Sequence, residues 1–362
     1  MKTTITTTSI LIPYLIEDYI KDAIAHGREK DVDIVITGDR KTPAEAKSYC
    51  SALQEKYGIP VLFMDVDDQE SFMASRPLLN AFLPWNCLQR RNVAILKAWE
   101  AGADIIVLID DDNYIACADY VGQHLHLGQN TELDCFASEN GWYNICAWLK
   151  DRYGRKFYPR GYSWDERRHE IPASCSRRDV RCVANGGFWL GDPDIDAVTR
   201  LAAPIDVTEY SRTGNFCLDS GIYCPFNSQN TAIHRDIVPA YFLCSDVGRF
   251  DDIWASYVVE RIAWHLGDAI SFGQPLVRQN RNEHDLWADA CAEEAGTRYT
   301  PDFCRWLREI PLSGNSYRDC ALELMHGLKK LIDTKGNSEL PFAKRAFFNH
   351  YIDGYCLWAS SF

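Results

Sequence analysis

Apolar and polar positions along the first hundred residues follow two alternating periods. Short β-branched runs such as TTSILIP and VDIVITGD are separated by stretches with helical spacing, such as YLIEDYIKDAIAHG and PAEAKSYCSALQEKYG. A strand period followed by a helix period, repeated, predicts a parallel sheet wrapped by helices. Pro43 near the start of one helical stretch and Gly58 just past its end agree with helix-capping preferences.

An acidic triplet follows the fourth predicted strand. The segment RRNVAILKAWEAGA predicts a helix, and ADIIVLIDDDNYI predicts the strand that ends in Asp110, Asp111 and Asp112. Ligands of such sheets bind at the carboxyl ends of the strands, where carboxylates can hold Mg2+ or Mn2+. Acidic residues also form ordinary turns, so the triplet alone leaves both interpretations open. No glycine-rich phosphate-binding motif precedes it.

The rest of the chain divides into an irregular middle and a helical end. Residues 113 to 245 are aromatic-rich and irregular, which fits either a substrate lobe or a plain mixed-sheet extension. FDDIWASYVVERIAWHLG predicts a helix ended by Gly267, and AISFGQPLV predicts a strand. We therefore expect one integrated α/β unit over residues 1–282, divided near residue 112, with a helical C-terminal extension over residues 283–362.

The amino-acid composition argues against some classes of function. The chain has 362 residues, is 46% hydrophobic and carries a formal net charge of -13, which argues against nucleic acid or anionic membrane as a partner. Its 14 cysteines are scattered without a C-x-x-C pair, so reduced and mostly buried thiols are expected. No apolar run reaches about 18 residues, and no export signal is evident, so we expect a cytoplasmic protein without a membrane span.

Four segments follow the triplet in a fixed order: RKFYPRGYSW, VANGGFWLGDPDIDAVTRL, QNTAIHRDIVPAYF and GRFDDIWASYVVERIAWHLG. In this order they resemble the reversibly glycosylated polypeptides, the plant UDP-arabinopyranose mutases, and more distantly other glycosyltransferases with a Pro-Arg-Gly motif. The resemblance covers roughly residues 103 to 275. It implies a GT-A type fold, Rossmann-like with a mostly parallel sheet, whose nucleotide-binding half is 1–112 and whose sugar and acceptor half is 113–282. It also implies a UDP-sugar donor and a divalent metal, Mn2+ or Mg2+.

The resemblance assigns roles to the acidic and basic residues. Asp110 and Asp112 would contact the metal or the ribose, and Asp111 would support them. Arg160 matches the family arginine; it could grip diphosphate oxygens, accept the sugar, or form a surface ion pair. Asp251 and Asp252 could face the sugar, one of them as a base, or one could simply cap the helix.

Further ligand contacts are implied along the chain: Pro13, Asp39, Arg90 and Arg91 for uracil, ribose and phosphate, and Trp189 and Asn230 within the family segments. One departure concerns the metal. The family has a Trp-His-Ser segment with a metal-binding histidine, whereas this chain reads VRQNRNEHD, so Gln279 stands at the aligned position. His284 is the nearest histidine, and the predicted ligands are therefore Asp110, Asp112 and His284, unless carboxylates and phosphate alone hold the metal. His234 stands where the family has an aspartate, and a partner-satisfied loop histidine is expected there.

The predicted function is a metal-dependent glycosyltransferase with a UDP-sugar donor and an unidentified acceptor. Arg160 and the cation would stabilise the departing UDP, and Asp251 and Asp252 would orient sugar or acceptor. A UDP-sugar mutase is the alternative, and a catalytically inactive sugar-nucleotide-binding subunit is the second alternative. A homo-oligomer is left open.

Overall fold

The computed structural model describes residues 1–168, 172–281, 285–335 and 342–362. Its strands are β1 Thr3–Ser9, β2 Val32–Gly38, β3 Val61–Met64, β4 Ile105–Ile109, β5 Asn113–Ile115, β6 Asn130–Ser138, β7 Leu149–Asp151, β8 Ala173–Gly191, β9 Val207–Tyr210, β10 Phe216–Leu218, β11 Asn230–His234 and β12 Ala269–Gln279. Its α-helices are α1 Ile16–Ala25, α2 Glu45–Tyr57, α3 Val66–Met73, α4 Pro77–Ala81, α5 Arg91–Glu100, α6 Ala197–Ala202, α7 Asp251–Leu266, α8 Leu286–Glu309, α9 Tyr317–Thr334 and α10 Phe342–Ala359.

The N-terminal half is the predicted Rossmann-like unit. Strands β3, β2, β1 and β4 lie side by side in that order and pair in parallel. Every residue of β4 is buried, as expected for a parallel strand covered on both faces. The helices α2 and α7 end at Gly58 and Gly267 in left-handed conformations, which confirms the predicted stops.

Beyond β4 the sheet continues in the order β11, β8, β6, β10, β12 and β5, with mixed pairing. β11 runs antiparallel to both β4 and β8, whereas β12 runs parallel to β8. The α/β class is confirmed, but the sheet is mixed: the pairings among β3, β2, β1 and β4 are all parallel, whereas the second half combines parallel and antiparallel pairings. The stretch expected to be irregular contains a strand of 19 residues, β8.

The C-terminal helices pack onto α7. Trp254 of α7 stacks on Phe303 of α8, with ring centroids 4.1 Å apart, and on Phe348 of α10. Trp358 of α10 donates to the carbonyl oxygen of Val238 at 2.8 Å. The helices after β12 therefore share one hydrophobic core with the sheet domain.

Two expectations from composition can be compared with the structure. All 14 cysteines are free and most are buried, which confirms the expectation of unpaired thiols. Among the described residues, no helix combines the length and the apolar character needed to cross a bilayer.

Candidate active site

The carboxyl ends of β1, β2 and β4 meet at one edge of the sheet, where a cavity of about 370 Å³ opens. The N-terminus of α7 contributes to the same cavity. Most of the predicted site residues line it: Asp39, Arg90, Arg91, Asp110, Asp111, Asp112, Arg160, Asp251 and Asp252. The structure thus brings together residues that are up to two hundred positions apart in the sequence.

Asp110 is held by Arg91, the first residue of α5. Nη2 of Arg91 donates to the Asp110 carboxylate, and Nη1 donates to Oγ of Ser228 at 2.7 Å. Burial opposes the charge of Arg91, but Asp110 outweighs it, and the pKa of the guanidinium is raised. Asp110 is therefore already compensated by a buried cation.

Asp111 and Asp112 lack such a partner. Oγ of Ser9 donates to Asp111 at 3.4 Å, while the buried Oδ1 of Asp112 has no hydrogen-bond partner among the described residues. Burial and the charge of Asp110 raise the pKa of both carboxyls, that of Asp112 to about 6. Arg281 and Gln279 counter the rise at Asp112 only in part, so this carboxyl is less well compensated than that of Asp110.

Arg90 is a buried cation held by neutral groups. Its Nε donates to Gln69 at 3.0 Å, its Nη1 donates to Asn80 at 3.0 Å, and its guanidinium lies 3.8 Å from the ring centroid of Trp85. No carboxylate of the described residues pairs with it, and its buried Nη2 has no partner there. Burial accordingly lowers the pKa of Arg90. An anionic ligand would supply the missing charge.

Asp39 stabilises the loop that precedes Arg90. It follows β2, and its carboxylate accepts from the backbone N–H groups of Arg40 at 2.6 Å and Cys87 at 3.2 Å. Each carboxylate oxygen has a second lone pair, so Asp39 can still accept from a ligand N–H.

The turn that carries Arg160 packs against α7. Gly161 has a φ of +89°, and a Cβ there would lie 2.3 Å from Cγ2 of Ile253. The hydroxyl of Tyr257 donates to the Gly161 carbonyl oxygen at 2.6 Å. Because only glycine fits this conformation and this approach, the Arg-Gly-Tyr segment directs Arg160 to the start of α7.

Every N–H group of the Arg160 guanidinium donates within the protein. Two reach the carboxylate of Asp194 at 2.9 Å, two reach that of Asp252 at 3.1 and 3.2 Å, and one reaches the carbonyl oxygen of Arg249. The side chain is only 4% exposed. The surface ion pair that the sequence allowed for Arg160 is thus corrected: the ion pair is buried. In this arrangement the guanidinium has no N–H group left to donate to a diphosphate.

Asp251 and Asp252 lie inside the first turn of α7, which starts after Phe250, so neither is the predicted N-cap residue. Asp252 accepts from the backbone N–H of Ser228 at 2.9 Å in addition to Arg160. Asp251 accepts from Nε2 of Gln89 at 2.9 Å. Burial and the neighbouring Asp252 raise the pKa of Asp251 to about 7. Asp251 is therefore the carboxyl of the pair that is suited to gain and lose a proton near neutral pH.

Several predicted residues lie elsewhere. Asn230 is fully buried in β11, where it donates to the Phe188 carbonyl oxygen at 3.0 Å and accepts from the Tyr120 hydroxyl at 2.8 Å. The predicted substrate contact is therefore corrected: the Asn230 side chain makes hydrogen bonds within the protein core. Trp189 lines a narrow void that also touches Arg160, and it does not line the main cavity.

Pro13 and His284 complete the predicted set. Pro13 is buried, and its carbonyl oxygen accepts from Ile16 N–H at the start of α1, whereas the exposed Ile10 and Leu11 line the cavity in its place. His284 lies outside the described residues. His234 is the last residue of β11 and not a loop residue, and its Nδ1 accepts from Asp236 N–H at 3.3 Å, so only the expectation of a hydrogen-bond partner is confirmed.

The structure adds cavity residues to which the sequence analysis assigned no role: Ser228, Arg249, Gln279 and Arg281. Nε of Arg281 lies 3.4 Å from Oδ2 of Asp192, and burial together with Arg200 lowers the pKa of Arg281. The only sequence signal for Arg281 is its place two residues after the position aligned with the family histidine.

The aspartate triplet is the candidate metal centre, and its chemistry fits a hard cation. Asp112 offers an unpartnered buried oxygen, and oxygen ligands suit Mg2+ and Mn2+. In the described ranges, no group of three or more His, Cys, Asp or Glu side chains is arranged to hold a metal. The described residues thus offer fewer than the three protein ligands that were predicted for the metal.

The sequence was compared with known proteins. The family model described as "Reversibly glycosylated polypeptide" matches residues 168–353, just over half of the chain. The chain is similar to "UDP-arabinopyranose mutase 3" of Arabidopsis thaliana, with 28% identity over 60% of this chain and 59% of that protein. It is also similar to "Probable UDP-arabinopyranose mutase 1" of Pisum sativum, with 25% identity over 63% of this chain and 62% of that protein. The chain thus spans about three fifths of the length of these relatives.

Solved structures were compared as well. The chain is similar to glucosyl-3-phosphoglycerate synthase from Mycobacterium tuberculosis in complex with Mn2+, uridine-diphosphate-glucose and phosphoglyceric acid. The two share 15% sequence identity over 86% of this chain and 82% of that chain, with a TM-score of 0.42.

Proposed function

The chain belongs to the reversibly glycosylated polypeptide family, and we propose that it is an enzyme that acts on a UDP-sugar with a divalent cation. One observation carries the proposal: the aspartate triplet, the Arg90–Arg91 pair and the acidic start of α7 line a single cavity at the carboxyl edge of the parallel strands. The names of the relatives, UDP-arabinopyranose mutases, support a UDP-sugar as the ligand.

The nucleotide end of the ligand would lie along the strand ends. Asp39 keeps lone pairs for a base N–H, and Arg90 offers a buried guanidinium without a carboxylate partner in the described part of the chain. Arg91 acts indirectly, because it neutralises and orients Asp110. These contacts favour an anionic ligand that carries a hydrogen-bonding base.

The cation would be held by Asp112 and Asp110, with further oxygens from the diphosphate or water. A divalent cation there would neutralise negative charge on the diphosphate as the bond between sugar and phosphate breaks. The raised pKa values of Asp111 and Asp112 support this site, because each reflects a buried carboxylate beside the charge of Asp110, which a bound cation would offset. His284 stays a predicted ligand.

Asp251 is our candidate for proton transfer at the sugar. It lines the cavity, and its carboxyl is oriented by Gln89. Asp252 cannot share this task while both of its oxygens accept from Arg160. Asp252 and Arg160 therefore act as positioning residues that fix the start of α7 beside Asp251.

Two reactions can follow from the same donor site. In glycosyl transfer, the predicted reaction, an acceptor hydroxyl attacks the anomeric carbon after Asp251 removes its proton, and UDP leaves. In the mutase reaction, UDP leaves the anomeric carbon but stays bound, and a second hydroxyl of the same sugar, deprotonated by Asp251, bonds to that carbon. The bond from the anomeric carbon to the original ring oxygen then breaks, that oxygen takes the proton back, and UDP bonds to the anomeric carbon again, so the product is again a UDP-sugar. The names of the relatives favour the mutase as the second candidate.

The test is incubation of the protein with a panel of UDP-sugars and Mn2+, followed by chromatographic separation of the products. An isomerised UDP-sugar supports the mutase, and UDP release that requires an added acceptor supports transfer. Asp251→Asn should abolish either turnover while UDP binding persists. UDP binding without turnover across the panel would support the inactive binding subunit, and no binding of UDP would overturn the proposal.

A further inference from the structure

Arg281 is a cavity cation whose charge the protein leaves incompletely compensated. Other arginines of the cavity wall contact carboxylates closely: Arg91 contacts Asp110, and Arg160 is enclosed by Asp194 and Asp252. Among the described residues, Arg281 has one ion pair, in which its Nε lies 3.4 Å from Oδ2 of Asp192, and this buried Nε makes no hydrogen bond with any of them.

Asp192 cannot neutralise Arg281 alone, because it is shared. Nη1 of Arg200 binds the other oxygen of the same carboxylate. Two guanidiniums therefore face one carboxylate, and both are largely buried, with side-chain exposures of 8% for Arg281 and 9% for Arg200. The carboxylates of Asp112 and Asp194 also act on Arg281 electrostatically, yet Arg281 donates to neither in the described part of the chain. The buried guanidinium therefore keeps an unused N–H group that a bound anion can accept from.

The surroundings hold Arg281 beside the acidic triplet. The strand β12 pairs with β5, and Asn280 N–H donates to the Asp112 carbonyl oxygen at 3.3 Å. Gln279, in the amide orientation that satisfies its hydrogen bonds, donates to the Asp192 carbonyl oxygen at 3.0 Å and accepts from Nη2 of Arg281 at 3.3 Å. The residue that replaces the expected histidine thus orients a guanidinium.

We propose that Arg281 binds the diphosphate of the UDP-sugar and supplies part of its neutralising charge from the protein itself. This proposal rests on the proposed function. A guanidinium can contact two phosphate oxygens at once, which fixes the position of the diphosphate as well as its charge. Arg281 would take the diphosphate-gripping role that the sequence analysis gave to Arg160, whose N–H groups are all used within the protein.

The experiment is calorimetric titration with UDP, uridine and inorganic pyrophosphate, each in buffer with EDTA and in buffer with Mn2+. The variants are Arg281→Ala, Arg281→Lys and, as a matched control, Arg278→Ala, an exposed arginine near the end of β12 that does not line the cavity. Arg281→Ala should weaken UDP binding in EDTA roughly tenfold or more and leave uridine binding unchanged. Arg281→Lys should restore part of the affinity, and Arg278→Ala should match the unmodified protein.

Equal UDP affinity of Arg281→Ala and the unmodified protein in both buffers would overturn the inference. Equal weakening of UDP and uridine would also overturn it, because that result indicates a structural role. If the unmodified protein binds pyrophosphate through Arg281 but does not bind UDP, the proposed function fails while the anion site stands. Binding of neither ligand would reject both, and thermal melting of each variant establishes that it is folded.

Discussion

Arg160 and Asp252 face each other with two parallel contacts, from Nη1 and Nη2 of the guanidinium to the two carboxylate oxygens at 3.1 and 3.2 Å. Asp194 contacts the remaining edge of the guanidinium in the same way. The turn that holds Arg160 is thereby fixed to the first turn of α7, where Asp251 lies. The pair links the stability of the fold to the geometry of the cavity.

Removal of Arg160 should therefore destabilise the protein. Arg160→Ala leaves two buried carboxylates without their cation, and we expect the free energy of unfolding to fall by about 3–5 kcal/mol. Urea denaturation measures this change. Arg177→Ala is the control, since that arginine is exposed and, among the described residues, forms ion pairs only with Glu132 and Asp134, so its loss should cost at most about 1 kcal/mol. If Arg160→Ala kept full stability but lost UDP binding, the diphosphate-gripping role predicted from the sequence would be supported instead.

The raised pKa of Asp251 predicts a pH-dependent stability. The carboxyl ionises near pH 4 in the unfolded chain and at about 7 in the folded protein, so the folded state binds more protons between these values. The contribution of Asp251 to stability is complete below about pH 4 and is lost as the pH rises to about 7. Asp251→Asn removes this ionisation, so its stability relative to the unmodified protein should increase between pH 4 and 7, by at most about 1.4 kcal/mol per pH unit.

Urea unfolding of both proteins across this pH range gives the comparison. Above pH 7 the difference between the two free energies of unfolding should become constant. A difference that is the same at every pH would mean that Asp251 ionises at its ordinary value.

The parallel half of the fold could be predicted because β1, β2 and β4 are buried on both faces and α1 and α2 on one face, which leaves clear periods in the sequence. The strand β8 could not, since residues 173 to 179 are all exposed and polar or small, including Arg177 and Arg178. Their strand conformation comes from pairing with β6, a contact between distant segments that local patterns do not record.

The candidate site, like the fold, could be predicted from the sequence only in part. Residue types and motif order identified the acidic triplet, Arg160 and Asp251, but not which partner each side chain has. The sequence predicts that Arg160 binds a ligand, and only the structure reveals that its guanidinium N–H groups already donate to Asp194 and Asp252. Conversely, Arg281 gave little signal, because its importance depends on Arg200 sharing Asp192.

A variant at Asn230 tests whether this residue has a structural role or contacts the ligand. Replacement by alanine would leave the buried hydroxyl of Tyr120 and the Phe188 carbonyl oxygen without their partner. We expect the free energy of unfolding to fall by about 1–3 kcal/mol, while the folded variant binds UDP with unchanged affinity. Denaturation and calorimetry on the same preparation test both parts. Loss of affinity without loss of stability would restore the substrate contact predicted from the sequence.

Replacement of Asp112 should have the opposite effects, because stability should be kept while the effect of Mn2+ on UDP affinity is lost. Its buried Oδ1 has no partner in the described part of the chain, and its pKa of about 6 reflects a charge that burial and Asp110 oppose. At pH 8 Asp112→Asn removes this unfavourable charge, so the free energy of unfolding without metal should stay equal or rise, by on the order of 1 kcal/mol. The same variant should lose the increase in UDP affinity that Mn2+ produces, because the cation loses a charged oxygen ligand. Calorimetry with and without Mn2+ measures the second effect, with the exposed Asp179→Asn as the control. An undiminished Mn2+ effect in Asp112→Asn would place the cation away from the triplet.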